Sequence, residues 1–171
     1  MLCRQLSDSE IIIETVSADE TAQLGKVIGE HAYPGLIILM YGGLGAGKTV
    51  IAKNIGAALG YPRIKSPTFI IVAEHYGGKL PLAHADLYRL SSAEEVDTLD
   101  LEQYVEQRQM LIVEWAERWD TPPIGDCMSI KFEEAVNESE KREIILMSHG
   151  EMTRSLLKHI YKSLRPTGGV G

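Results

Sequence analysis

The chain has 171 residues, of which 44% are hydrophobic, and its formal net charge is −7 at pH 7. A chain of this length can bury one sizeable core, so we expect a single domain. The acidic balance argues against extensive direct neutralisation of nucleic-acid phosphates, which normally requires clustered Lys and Arg. Any RNA involved would therefore be held by another subunit.

The sequence carries no signal for membrane insertion or export. No stretch approaches the roughly 18 uncharged apolar residues of a membrane span. Residues 1–8 lack the apolar core of a secretory signal. Cys3 and Cys127 are too few for a metal or disulfide framework and suit a reducing compartment. We expect a cytoplasmic protein without membrane contact.

The first predicted helix begins at a capping signal. Ser17 is followed three residues later by Glu20, the spacing of an N-cap hydroxyl and its reciprocal glutamate. An apolar stripe at helical spacing comes next, formed by Leu24, Val27 and Ile28. Pro34-Gly35 ends this helix before the first central strand.

A glycine-rich loop separates the next predicted strand from the next predicted helix. The apolar run Leu36–Tyr41 is typical of a buried strand, and Val50–Leu59 has apolar residues at helical spacing. The loop between them has the form G-x-x-x-x-G-K-[ST] and consists of Gly42, Gly43, Leu44, Gly45, Ala46, Gly47, Lys48 and Thr49. The alternative is a chance glycine-rich turn, which the order of strand, loop and helix disfavours. We therefore predict a nucleoside triphosphate site here.

The residue types of this loop explain its chemistry. Glycines let backbone N–H groups turn inward as an anion nest, and Lys48 adds a mobile positive charge. The positive N-terminus of the following helix would face the phosphates, and Thr49 would place its hydroxyl on Mg²⁺. The sequence has no Asn-Lys-x-Asp segment of the type used by guanine-specific switch proteins. ATP is therefore favoured over GTP.

Two strand-like segments joined by a tight turn follow. A β-branched strand is predicted over Thr68–Ala73 and another strand over Leu82–Leu87. Tyr76–Lys79 between them is typical of a hairpin turn. A capping box at Ser92–Glu95 then predicts short helical segments that reach Gln107.

The remainder of the chain predicts three strands and a final helix. Met110–Glu114 is a second fully apolar strand, while Cys127–Phe132 and Arg142–Met147 would pair as a late hairpin. Glu151–Leu164 has the apolar spacing of a terminal helix, and Arg165–Gly171 is predicted to be a disordered tail.

These elements define an α/β fold of the P-loop NTPase type. We expect a single domain with a mostly parallel central sheet flanked by helices, to which the late strands add antiparallel pairs. The P-loop ATPase domain would occupy residues 1–150. Residues 151–171 would form a C-terminal helix and a flexible tail.

Two of the predicted strands end in carboxylates. Met110–Glu114 has the form of a Walker B strand, so Glu114 is our candidate for the Mg²⁺ site; the alternative is a surface carboxylate at a strand end. Asp86 closes another strand and would either hold a Mg²⁺-bound water or orient the attacking water as a general base. Its alternative role is an N-cap or an ion pair with Arg89.

The sequence places three further side chains close to these carboxylates or to the loop, and we weigh a functional role for each against a structural one. Thr68 would lie near the γ-phosphate or its metal, as switch loops do, or would only form a turn. Trp115 would stack on a base, anchor a partner or pack in the core. His84 has no second histidine at metal spacing, so we interpret it as a structural core residue.

Four motifs occur in a fixed order along the chain: Leu44–Thr49, Lys65–Phe69, His84–Leu90, and Val113–Trp115 with Glu117-Arg118. Together they resemble the motifs of the TsaE family, bacterial P-loop ATPases needed for threonylcarbamoyladenosine formation in tRNA. The resemblance covers the chain from about Glu14 to Met147. Four motifs in order are more specific than a phosphate loop alone.

The resemblance implies a small ATPase that works with TsaB and TsaD on the adenosine beside the anticodon. TsaD would be the transferase, and tRNA would be reached only through the complex. The resemblance also implies roles for individual side chains: phosphate binding by Lys48, Mg²⁺ binding by Thr49 and Glu114, ATP hydrolysis by Asp86, a switch-like loop at Thr68 and a site-flanking aromatic at Trp115.

The resulting hypothesis is slow, Mg²⁺-dependent ATP hydrolysis that couples nucleotide state to a TsaB–TsaD assembly. Its catalytic group would consist of Lys48, Asp86 and Glu114. One alternative is a small-molecule kinase, in which Asp86 would deprotonate an acceptor hydroxyl. The other is a nucleotide-gated adaptor whose hydrolysis is incidental.

Overall fold

A computed structural model of the chain describes residues 1–64, 67, 70–122, 125–133 and 141–165. The strands are β1 (Leu2–Ser7), β2 (Glu10–Thr15), β3 (Ile37–Tyr41), β4 (Val72–His75), β5 (Leu82–Asp86), β6 (Met110–Glu114), β7 (Cys127–Phe132) and β8 (Arg142–Ser148). The α-helices are α1 (Ala18–Glu30), α2 (Lys48–Ala58), α3 (Ala93–Asp97), α4 (Glu102–Glu106) and α5 (Glu151–Leu164), and a 3₁₀ turn covers Ala116–Arg118.

The strands form one sheet in the order β1-β2-β8-β7-β3-β6-β5-β4. The four central strands, β7, β3, β6 and β5, are parallel to one another. Antiparallel strands extend the sheet at both sides: β8, β2 and β1 beyond β7, and β4 beyond β5. The predicted α/β class with a parallel centre is confirmed, as is the late hairpin formed by β7 and β8.

Helices cover the sheet on two faces. The larger core lies between the sheet and α1, α2 and α5, and its buried side chains include Leu24, Ile38, Ile51, Leu156 and Ile160. A second core lies on the opposite face under α3 and α4, with Leu39, Val96, Leu101, Leu111 and Val113. The buried strands β3, β5 and β6 contribute to both cores because successive side chains point to opposite faces.

The parallel register brings three strand ends to one edge of the sheet. Met40 near the end of β3 pairs with Glu114 at the end of β6. Asp86 at the end of β5 pairs with Glu114 from the other side. Ligands bind at the carboxyl ends of strands in open α/β sheets, so this edge is the place to expect a site.

One predicted strand begins later than expected. The prediction started at Thr68, which lies outside the described residues together with Phe69, but β4 begins at Val72 and continues to His75. The backbone N–H groups of Ile70 and Ile71 both donate to the Pro67 carbonyl, at 3.0 and 2.7 Å, and the φ of Ile71 is 65°. This turn bends the chain immediately before Val72, so Ile70 and Ile71 are not part of the strand.

The first two strands were not predicted. β1 is largely exposed, and β2 buries alternate side chains: Ile11 and Ile13 lie in the larger core, and Thr15 is also buried. Strand β2 pairs with β8, more than a hundred residues away in sequence, which local pattern does not reveal. Within the described ranges, none of the helices is long and apolar enough to span a membrane.

Candidate nucleotide-binding site

Three glycines shape the loop that joins β3 to α2. Gly42, Gly45 and Gly47 have φ values of 136°, 74° and 116°, in the region that glycine enters without a steric penalty. A Cβ at Gly42 would also approach the Cβ of Phe132 to 2.9 Å. The predicted loop is therefore present, and its curvature depends on these residues being glycine.

Lys48 folds back over this loop. Its ammonium donates hydrogen bonds to the carbonyls of Gly42 and Gly43, the second at 2.8 Å. The same nitrogen lies 3.9 Å from the centroid of the Trp115 ring, a cation–π distance. Only 4% of Lys48 is exposed. The loop therefore holds a buried cation on its own carbonyls.

The charges around Lys48 are mostly negative. Burial lowers the pKa of its ammonium, whereas the carboxylates of Glu117, Glu114 and Asp86 act in the opposite direction and raise it. A partly desolvated cation surrounded by backbone carbonyls and carboxylates can exchange these partners for an anionic ligand. Phosphate oxygens would satisfy the ammonium more fully than neutral carbonyls do.

Glu114 connects the loop to the sheet. Its Oε2 accepts a hydrogen bond from the Thr49 hydroxyl at 2.7 Å. Its Oε1 lies 2.8 Å from Nε2 of His84, and the two side chains are 2% and 0% exposed. The end of β6, the start of α2 and the middle of β5 therefore meet at one carboxylate.

Asp86 lies beside Glu114 on the neighbouring strand. The two residues are register partners in the parallel β5–β6 pair, and only 8% of Asp86 is exposed. Its Oδ1 accepts a hydrogen bond from the backbone N–H of Tyr88 at 3.1 Å. This bond fixes the carboxylate at the point where β5 turns away from the sheet.

Aromatic rings form one wall of the site. Trp115 adopts φ 59° and ψ 44°, a left-handed conformation that is rare for a bulky residue, and it turns the chain sharply after β6. Its ring packs against Tyr88 with centroids 4.8 Å apart and planes tilted by 45°. Strain at this position accompanies the placement of the Trp115 ring over Lys48.

These groups line a cavity of about 330 Å³. Its lining consists of Leu44, Gly45, Ala46, Gly47, Lys48, Thr49, Val50, Asp86, Tyr88, Glu114 and Trp115. A smaller cavity of about 160 Å³ adjoins the same loop and is lined by Ala18, Thr21, Gly45, Ala46, Gly47, Val50 and Arg142. The two cavities share the loop and Val50, so an elongated ligand could contact both.

The structure brings together most of the side chains predicted from the sequence. Lys48, Thr49, Asp86, Glu114 and Trp115 face one cavity, and Gly42 and Gly43 contribute carbonyls to Lys48. Thr68 lies outside the described residues. The sequence interpretation missed Tyr88 and the contact between His84 and Glu114. Strand alternation was the available signal, because His84 and Asp86, two residues apart, must point to the same face.

The oxygen atoms at the centre of the cavity suit a hard cation. The Thr49 hydroxyl and the Glu114 carboxylate are already in contact, and Asp86 lines the same space. Within the described part of the chain, no group of three or more His, Cys, Asp or Glu is arranged to hold a metal. Mg²⁺ is usually bound by one or two protein oxygens together with water and substrate phosphates, so this donor set fits it.

The fold and the loop together define a P-loop protein of the α/β class. The chain belongs to the TsaE family: the model of the family described as threonylcarbamoyl adenosine biosynthesis protein TsaE matches residues 15–144. The matched region contains every side chain of the site described above.

Individual relatives agree with this assignment. The tRNA threonylcarbamoyladenosine biosynthesis protein TsaE of Bacillus subtilis is 41% identical over 103 residues, which span 60% of this chain and 64% of that protein, just under two thirds of its length. The protein of the same name from Streptomyces coelicolor is 32% identical over 135 residues, 75% of this chain and 90% of the relative. The crystal structure of Bacillus subtilis YdiB superposes with a TM-score of 0.77 at 27% identity, covering 96% of this chain and 99% of that one.

Proposed function

We propose that this protein binds MgATP and hydrolyses it slowly as a component of the machinery that forms threonylcarbamoyladenosine in tRNA. The observation that carries the proposal is the convergence of Lys48, Thr49, Asp86 and Glu114 on one cavity beside the phosphate loop. The loop and the α2 N-terminus supply positive potential, and the strand ends supply carboxylates. This division of roles is what phosphoryl transfer to water requires.

The phosphates of the nucleotide would bind inside the loop. The loop N–H groups and the start of α2 would hold the phosphate oxygens, together with the Lys48 ammonium. For this, Lys48 must exchange the Gly42 and Gly43 carbonyls for phosphate, a change that replaces neutral acceptors with charged ones. Trp115 and Tyr88 would form the wall that limits water around the transferred group.

The metal would be held by Thr49 and Glu114. When bound, Mg²⁺ neutralises charge on the phosphate oxygens during transfer. Asp86 is the candidate general base, because its carboxylate shares the cavity with Lys48 and stands next to Glu114 without being part of the Thr49–Glu114 contact. It would orient the attacking water and accept its proton.

The adenosine half of the nucleotide would extend past Val50 toward the smaller cavity. That cavity is lined by the loop and by Ala18 and Thr21 of α1. Because it shares Gly45–Gly47 and Val50 with the larger cavity, one elongated ligand can occupy both. ATP is the proposed ligand on this basis and on the sequence argument against GTP.

The assignment to tRNA modification rests on the family. The relatives are named for threonylcarbamoyladenosine biosynthesis, and we extend that role to this chain. TsaB-like and TsaD-like proteins are the proposed partners, and the partner assembly would hold the tRNA. The net charge of −7 supports indirect contact with the tRNA, because an acidic protein binds nucleic-acid phosphates weakly. A cytoplasmic location follows from that role.

The test is ATP turnover by the purified chain with and without TsaB, TsaD and tRNA. Wild type is compared with Glu114→Ala and with Glu106→Ala, which removes an exposed carboxylate at the end of α4. We expect inorganic phosphate release that rises with the partners, is lost in Glu114→Ala and is unchanged in Glu106→Ala. Transfer of phosphate to a small acceptor would indicate a kinase. Full repeated function with a non-hydrolysable analogue would indicate an adaptor.

A further inference from the structure

His84 is a fully buried histidine that the proposed reaction does not use directly. It lies in the middle of β5, is 0% exposed, and faces the same side of the sheet as Asp86. Its register partner is Ile112 of β6, two residues before Glu114. A medium-sized apolar side chain would fit this environment, so packing alone does not account for an imidazole.

The hydrogen bonds of His84 are unevenly satisfied. Nε2 lies 2.8 Å from Oε1 of Glu114, and because a carboxylate only accepts, Nε2 carries the proton. Nδ1, the other ring nitrogen, is buried without a hydrogen-bond partner among the described residues. An unpaired buried polar atom lowers the stability of the folded state. Among the described residues, the contact with Glu114 is therefore the hydrogen bond that offsets the cost of burying this side chain.

Glu114 is held at both oxygens by different elements. His84 fixes Oε1 from β5, while the Thr49 hydroxyl contacts Oε2 from the start of α2. Rotation of the carboxylate about its last bond would break both contacts. With Oε1 held by His84, Oε2 stays directed toward Thr49 and the cavity.

We propose that His84 is a positioning residue: its hydrogen bond to Glu114 orients the carboxylate toward Thr49 and thereby sets the affinity of the site for the divalent cation. This inference rests on the proposed binding of MgATP and adds a residue that contacts neither nucleotide nor metal. In known metal sites, a residue that hydrogen-bonds to a metal-binding side chain without touching the metal affects metal affinity. Its removal lowers that affinity by about 10- to 100-fold.

The test compares three substitutions of His84 that differ in whether they place an N–H donor near the position of Nε2. His84→Gln retains an N–H donor near the position of Nε2, His84→Asn has the same amide on a shorter side chain, and His84→Leu removes the donor while keeping volume. Ile112→Val is the packing control, because it changes the register partner of His84 without touching Glu114. The readout is the calorimetric dissociation constant for ADP, measured in EDTA and across a MgCl₂ titration, with thermal unfolding of each variant.

We expect His84→Leu and His84→Asn to require at least about 10-fold more Mg²⁺ for the same gain in ADP affinity. Their affinity in EDTA should stay within about 2-fold of wild type. His84→Gln should regain most of the Mg²⁺ response, and Ile112→Val should keep it. If His84→Leu does not fold, the comparison of His84→Gln with His84→Asn still shows whether a donor at the position of Nε2 is needed for the Mg²⁺ response.

Two results would overturn the inference in distinguishable ways. Wild-type Mg²⁺ response in His84→Asn or His84→Leu, or equal weakening with and without Mg²⁺, would reduce His84 to a structural residue and leave the proposed function intact. Absence of ADP and ATP binding by the wild-type chain would remove the proposed function and this inference with it.

Discussion

The ammonium of Lys48 lies 3.9 Å from the centroid of the Trp115 ring, so the loop cation and the aromatic that follows β6 are in direct contact. The same ammonium donates to the carbonyls of Gly42 and Gly43. A phosphate that enters the loop must compete for this cation. Nucleotide binding should therefore change the surroundings of the Trp115 ring.

The first prediction concerns the fluorescence of Trp115. The chain has two tryptophans, and Trp119→Phe leaves Trp115 as the only tryptophan, which is excited selectively at wavelengths that tyrosine does not absorb. We expect its emission to change on addition of ADP or ATP, because the cation–π contact with Lys48 is altered. Lys48→Met should weaken nucleotide binding by roughly 10- to 100-fold, which corresponds to the free energy of losing a hydrogen bond to a charged group.

The matched control for this experiment is Trp115→Phe. It retains Trp119, which is 4% exposed, packs in the second core and is not among the residues that line the larger cavity. We expect this variant to bind nucleotide without a change in emission. A nucleotide response carried by Trp119 would show that the Lys48–Trp115 contact is not the part of the site that moves.

The second prediction separates binding from hydrolysis at Asp86. Asp86→Asn keeps an oxygen that can accept from the Tyr88 N–H but cannot take a proton at neutral pH. We expect ATP hydrolysis to fall by about 10²- to 10⁴-fold, as for loss of a general base, with nucleotide affinity within a few-fold of wild type. Phosphate release and calorimetric titration provide the two measurements.

Asp97→Asn at the exposed end of α3 is the control for loss of one negative charge. It should leave both quantities unchanged. If Asp86→Asn hydrolyses ATP at the wild-type rate, Asp86 is not the base. If it loses nucleotide affinity instead, its role is in binding.

Local pattern was sufficient for the central strands and for the capped helices, but not for β2, whose side chains are partly buried. The apolar runs of β3 and β6 and the capping residues Ser17 and Ser92 identify their elements because these signals are complete within a few residues. Strand β1 carries no such signal, since its side chains are mostly exposed and it is held by pairing with β2. Pairing between segments that are distant in sequence cannot be predicted from local pattern in a single sequence.

The same distinction applies to the site. The glycine-rich loop is contiguous and was predicted directly, and Asp86 and Glu114 were predicted because each closes a strand. The role of His84 depends on β5 lying beside β6, which brings its Nε2 to Glu114 across 30 residues of sequence. Strand alternation places His84 on the same face as Asp86, but it does not reveal that β6 and Glu114 lie beside them.

The third prediction concerns the close packing of α1 on α2. Gly29 lies where a Cβ would meet the carbonyl oxygen of Ile55 at 2.7 Å and the Cβ of Ala58 at 2.8 Å. Alanine improves helix propensity by up to about 1 kcal/mol, but overpacking against a backbone costs about 1–3 kcal/mol. We expect Gly29→Ala to lower the free energy of unfolding, measured in urea, by about 1–2 kcal/mol.

Gln23→Ala on the exposed side of the same helix serves as the control and should change stability by less than about 0.5 kcal/mol. A Gly29→Ala variant as stable as wild type would mean that the two helices can separate at little cost. The requirement for glycine at this crossing would then be wrong.

The last prediction concerns how α5 is capped. Its N-cap residue is Gly150, which has no side chain to offer, and a Cβ there would lie 2.3 Å from Cγ of Asp126. Asp126 supplies the cap instead: Oδ2 accepts from the Met152 N–H at 2.6 Å and Oδ1 from the Thr153 N–H at 2.7 Å. Loss of an N-cap costs about 1 kcal/mol, so we expect Asp126→Ala to destabilise the protein by that amount at pH 7.

The pH dependence follows from the pKa of Asp126. Burial raises it, but the hydrogen bonds from Thr153 and Met152 and the charge of Arg154 outweigh burial and hold it below its ordinary value. A depressed folded-state pKa contributes stability above the unfolded value of about 3.9, which is lost as pH falls through the folded value. The difference between wild type and Asp126→Ala should therefore shrink below about pH 4. Asp120→Ala, at an exposed position six residues earlier, is the control and should not change the free energy of unfolding at any pH. If Asp126→Ala lowers the free energy of unfolding equally at pH 7 and at pH 3, the effect comes from packing and not from the charged cap.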